Sequence, residues 1–117
     1  LSPLPDGALG VRSQDPGGDG ARRARAIEEN NQGVAALEAG RLEEALELFA
    51  RAAAAAPEER GIARNYAEAL RRRGDAALER RAWDLAAADF ARASELDPER
   101  STYALLAAVM RHALRRG

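Results

Sequence analysis

The sequence predicts an all-α fold made of repeated helix pairs, and three observations lead there. Residues 26–59 laid over 67–100 agree at 13 of 34 positions without a gap, a separation of 41 residues. Among the matches are Gly33 and Gly74, Leu37 and Leu78, Ala45 and Ala86, Phe49 and Phe90, Ala52 and Ala93, Pro57 and Pro98, and Glu58 and Glu99. A period of a few tens of residues marks a unit that buries its apolar face against copies of itself. About a quarter of the residues are Ala, with Glu, Arg and Leu supplying much of the rest, which favours helix and leaves little to build strands. Apolar side chains, finally, recur at spacings of three and four.

Each element follows from that pattern. Residues 1–20 have three prolines, five glycines and no period, so they read as a disordered leader, with a helical domain over 21–117. Ile27, Val34 and Leu37, with Ala26, Ala35 and the small Gly33 between them, suit a first helix to about Ala39, and Gly40 suits its left-handed stop. Leu42, Ala45, Leu46, Phe49, Ala52, Ala53 and Ala56 line one face of a second helix, with Glu43, Glu44, Glu47 and Arg51 opposite. Pro57 ends it and is read as the start of a third helix reaching Arg80. Trp83, Ala86, Ala87, Phe90 and Ala93 are expected to face inward from a fourth. Asp97 and Pro98 are expected to cap and open a fifth that ends near Arg116.

The small-residue and aromatic pattern resembles the tetratricopeptide repeat (TPR). It is carried by Gly33, Gly40, Ala45, Phe49, Ala52 and Pro57 in the first pair, and by Gly74, Ala86, Phe90, Ala93 and Pro98 in the second, with Trp83 at a position often aromatic in the family. The resemblance covers roughly residues 24–116 and implies antiparallel helix hairpins, two TPR-like units plus a C-terminal capping helix. Glycine and alanine would let helices approach, and the two phenylalanines would fill the wedge between pairs. The family period is about 34 residues, against 41 here. The excess is two helical turns, so the third helix is expected to be elongated, bent at Gly74 and projecting past its neighbours.

Composition narrows the function classes. The chain has 117 residues, enough for one domain with a modest core. Net charge is −1, so no bulk field draws nucleic acid or acidic membranes. Every basic residue is Arg, which with the Ala and Gly content matches GC-rich coding. Cysteine is absent, which excludes disulfides and thiolate metal sites. No apolar run approaches about 18 residues, so no membrane span is expected. The chain opens on Leu1, as a processed or trimmed product would, and its compartment stays open.

The resemblance implies a non-enzymatic interaction module whose first helices line a concave groove for a peptide or protein. The groove candidates are Asn30, Asn31, Val34, Arg64, Asn65, Glu68, Arg71 and Arg72, with Ile27, Leu37, Leu105, Val109 and His112 around them. Asparagine offers donors and an acceptor to a peptide backbone, and the arginines suit an acidic partner unless Glu68 and its neighbours neutralise them. Of the clamp by which chaperone-binding members hold a C-terminal carboxylate, only Asn65 has a counterpart; Asn30 and Val34 stand where Lys and Asn are needed.

The fifth helix is apolar over more than one face, where a terminal cap usually turns a polar side outward. Leu105, Leu106, Val109 and Met110 are therefore candidates for homo-oligomerisation. A third reading is an accessory segment of a larger enzyme or a secretion component. Chemistry is poorly provided for. His112 stands alone, the carboxylates Glu43, Glu44, Glu47, Asp84 and Asp89 are expected on solvated faces, and Ser101 and Thr102 suit a helix start. The GGDG run at 17–20 lacks what calcium or phosphate loops need, so no catalytic residue, cofactor or metal is expected.

Overall fold

A computed structural model describes residues 18–116, and these form five helices with no strand among them. The order is α1 (Asp19–Glu38), α2 (Leu42–Ala55), α3 (Arg60–Glu79), α4 (Trp83–Leu96) and α5 (Ser101–Arg116). Most of the expected leader lies outside the described residues, but Asp19 and Gly20 already belong to α1, so the helical region begins before Ala21.

The helix boundaries repeat with the sequence period. α3 begins and ends 41 residues after α1, α4 does so after α2, and α5 starts 41 residues after α3. This corrects the expectation of one elongated helix: α1 and α3 both have 20 residues, against 14 for α2 and α4. The extra turns are shared, and α3 runs as continuous helix through Gly74.

The turns repeat too. Gly40 takes a left-handed backbone (φ 83°), and Arg81 takes the same conformation (φ 64°) at the equivalent place. In each turn two amides close back on the preceding helix: Gly40 on Leu37 (3.0 Å) and Arg41 on Ala36 (2.8 Å), then Arg81 on Leu78 (3.0 Å) and Ala82 on Ala77 (2.8 Å). That pair of bonds satisfies the last carbonyls of a helix. The residue before each proline is pushed out of the helical region, at Ala56 (ψ 69°) and Asp97 (ψ 72°). Pro57 and Pro98 thus sit in turns rather than opening α3 and α5, which start three residues later, and Asp97 closes α4 instead of capping α5.

α1 packs mainly on α2, α3 on α4 and α4 on α5, with α3 also against α2. The central cluster takes residues from all five helices, including Ala36, Leu46, Phe49, Leu70, Ala93 and Tyr103. Phe49 and Phe90 are fully buried, and burying such a ring contributes roughly 1.5–3 kcal/mol. Each ring lies over the glycine of the preceding helix. A β-carbon added at Gly33 would stand 2.6 Å from Phe49 Cε1, and one at Gly74 2.7 Å from Phe90 Cε1. No side chain fits either notch without moving the ring.

Two expectations are corrected here. Trp83 is 42% exposed rather than turned inward. Asp89, expected on a solvated face, is buried where the first unit has buried Leu48. Its cost is offset by the Arg73 guanidinium, which donates from Nε to Oδ2 (2.9 Å) and from Nη2 to Oδ1 (3.0 Å). Arg73 also reaches Glu43 on α2 at 3.4 Å, so one side chain ties α2, α3 and α4 together.

Candidate recognition surface

The 41-residue register sorts the exposed side of α1, α3 and α5 into rows. Arg23, Arg64 and Leu105 are equivalent, as are Ile27, Glu68 and Val109, then Asn30, Arg71 and His112, and Asn31, Arg72 and Ala113.

Glu68 is the centre of this surface. The Arg71 guanidinium donates to it twice (Nε 3.2 Å, Nη2 2.8 Å), Arg72 Nε donates at 3.2 Å, and Tyr103 Oη donates at 3.3 Å. Hydrogen bonding from Arg71 dominates over partial burial and lowers the Glu68 carboxyl from its ordinary 4.5 to about 2. Burial raises the Tyr103 phenol, and the Glu68 charge adds to it. Arg71 also pairs with Asp75. The buried Tyr103 thus carries α5 onto α3, a link that residue spacing alone did not reveal.

The remaining candidates fall into place around this node. Asn65 Nδ2 donates to Asn30 Oδ1 at 2.9 Å, which joins α1 to α3 and occupies part of both amides. Asn31 is exposed on the same side, whereas Val34 and Leu37 are half-buried against the central cluster and contribute packing. Arg64 Nη2 lies 3.8 Å from Glu99, which Arg60 also approaches at 3.5 Å. One unit earlier Arg23 makes the matching pair with Glu58 at 3.6 Å. The recurrence of Glu58 as Glu99 is explained by this pin between a first helix and the turn after the second. The groove arginines therefore serve neighbouring carboxylates, and the local field is weaker than their number suggests.

α5 exposes the apolar Leu105, Val109 and Leu114. Its positions equivalent to buried Ala67, Leu70 and Gly74 are the exposed Ala108, Arg111 and Arg115, so the side that would receive another helix carries two arginines. Of the four self-association candidates, Leu106 and Met110 are half-buried against the Phe90 cluster. Leu105 (65% exposed) and Val109 (49% exposed) lie instead in the rows of Arg64 and Glu68. His112 is exposed beside them.

No family model, curated protein or solved structure matches the chain. Among the described residues no group of His, Cys, Asp and Glu could hold a metal ion, and no helix is long and apolar enough to cross a membrane.

Proposed function

We propose that this is a TPR-like module, two antiparallel helix hairpins closed by α5, that binds a protein or peptide segment across α1, α3 and α5. The observation that carries the reading is the exposure of Leu105 and Val109. Their register equivalents on α3 are the charged Arg64 and Glu68, so nothing in the packing of the fold calls for apolar residues there. Exposed apolar side chains beside a polar node are what a recognition surface requires: anchors at one end, hydrogen-bonding groups at the other. Asn31, Arg72 and the free valences of Asn30 and Asn65 would supply the polar contacts. The partners of Glu68 fix its geometry, and that lowers the ordering cost of binding. No residue in this reading performs chemistry.

A photo-crosslinking amino acid placed singly at Asn31, Arg72, Leu105 or Val109, with Glu47 and Ala88 as controls, tests the assignment in native lysate. The expected result is one shared crosslinked partner from the four groove positions and none from the controls. Crosslinks only to a second copy of the chain would replace recognition by self-assembly, and labelling without regard to position would remove the groove. Leu105→Asp is expected to abolish the shared product while leaving the thermal melt within about 0.5 kcal/mol of the parent.

A further inference from the structure

We propose that the Arg73–Asp89 pair is a key to helix pairing, by which α3 selects α4 over α2 and α4 is refused by α1. The two glycine notches create the need for one. A β-carbon at Gly33 would stand 2.6 Å from the Phe49 ring and one at Gly74 2.7 Å from the Phe90 ring, so the rings do not tell the two seats apart. Ala45, Ala52, Ala86 and Ala93 recur at matching places, all fully buried, and do not discriminate either. Nor does the ion pair within the first hairpin. Glu29 on α1 holds Arg51 on α2 at 3.2 Å, and α4 offers Arg92 at the equivalent position.

Arg73 and Asp89 are where the hairpins part. One period before Arg73 stands the exposed Gln32, and one period before Asp89 the buried Leu48. Each hairpin is matched within itself. In the second, both carboxylate oxygens of Asp89 accept from Arg73, at 2.9 Å from Nε and 3.0 Å from Nη2, and the acid is only 5% exposed. In the first, Leu48 needs no polar partner, and Gln32 keeps its amide in water.

Crossing the hairpins breaks both matches. α4 laid on α1 would bury Asp89 against a neutral amide, with Glu28 and Glu29 one turn away on the same helix. A carboxylate deprived of its guanidinium and brought toward like charge is strongly disfavoured. α2 laid in the seat of α4 would set Leu48 against Arg73, whose forked pair is then lost. A buried ion pair adds little stability over apolar residues of the same shape. It does discriminate between partners, as single polar residues do in coiled coils. The first hairpin is closed by apolar contact, and the second adds a charge that α1 leaves unmet.

The chain has no cysteine, so introduced pairs report helix neighbours without background. Glu29→Cys with Arg51→Cys marks the native hairpin of α1 and α2. Glu29→Cys with Arg92→Cys marks α4 laid on α1. Each full-length chain is refolded from urea at high concentration and treated with a short bis-maleimide. The native marker is expected to crosslink in every background, and the crossed marker scarcely at all in the parent. In the Arg73→Gln, Asp89→Leu variant, which copies the first hairpin, the crossed product is expected to rise roughly tenfold while the thermal melt stays cooperative. Adding Gln32→Arg and Leu48→Asp moves the pair to the first hairpin and is expected to restore the parental yield. The proposal is overturned by a crossed yield in the parent equal to the native one, by an unchanged yield in the double variant, or by a relocated pair that restores nothing. It also falls if the double variant loses its cooperative melt, for the pair then holds the fold rather than choosing its partners.

Discussion

The first helix pair, residues 19–55, and the second, residues 60–96, share helix lengths, the ring-over-glycine contact and the arginine pin to the following turn. They differ at most other positions, among them Leu42 against Trp83, Gly40 against Arg81, Leu48 against Asp89, and Ile27 against Glu68. What is shared closes the core, and Glu68 lies on the surface where a partner is proposed. In a molecule built from copies of one unit, the departures from the unit are the best guide to specialised work, because packing alone asks for the same residue twice.

The largest expected effect tests what the pairs share. Phe49→Ala and Phe90→Ala should each cost about 3–5 kcal/mol in urea melts, and by similar amounts, since each ring is fully buried over a glycine notch. A loss confined to one of the two would break the equivalence. Gly33→Ala and Gly74→Ala should follow at about 1–3 kcal/mol by overpacking.

A smaller effect sharpens the contrast at Glu68. Its carboxyl is held at about 2, below the ordinary 4.5, by Arg71 and Arg72. The stability it adds is therefore present above about 4.5 and is lost as pH falls toward 2. The gap between the parent and Glu68→Gln should be under about 1 kcal/mol at neutral pH, because the group is partly solvated, and should close near pH 2. A gap independent of pH would mean that Glu68 acts by shape alone. The smallest effect concerns the turns. Arg81→Gly should stabilise by a few tenths of a kcal/mol, about the left-handed penalty less the added chain entropy, whereas Gly40→Arg should destabilise. Equal and opposite melting shifts would match the two turns most closely.

Much of the fold was legible in the sequence because a repeat prints its core twice. Phe49, Phe90, the alanines of α2 and α4, Gly33, Gly74 and the stop at Gly40 all follow from recurrence and helical spacing. The all-helical class and the five elements follow as well. Length was misjudged because an excess over a family period was assigned to α3, while α1 carries the same turns. Asp89 was misplaced because residue type outweighed register: its counterpart Leu48 already marked the position as interior. Trp83 failed in the opposite sense, a large apolar residue at an interior-looking position that lies at the first turn of α4. The candidate surface was only partly legible. Asn30, Asn65 and Glu68 were identified as residues, but the contacts that join them, Asn65 to Asn30 and Tyr103 to Glu68, cross between helices 35 residues apart in the chain. Spacing along one helix says nothing of such pairs.

The two glycine notches leave similar room, the nearest ring carbon standing 2.6 Å from an added β-carbon in one and 2.7 Å in the other, so either one is a stereochemically acceptable seat for either ring. Shape therefore does not instruct Phe49 to choose Gly33 over Gly74; tethering does, through the short turn Ala39–Arg41, which keeps the correct notch at high effective concentration. Chains crowded together while still unfolded lose that advantage and can exchange α2 or α4 between molecules, the swapping hazard of duplicated sequences. At the third equivalent position stands the exposed Arg115, so α5 offers no third glycine notch. Fidelity of pairing in this molecule is a property of its connections as much as of its surfaces.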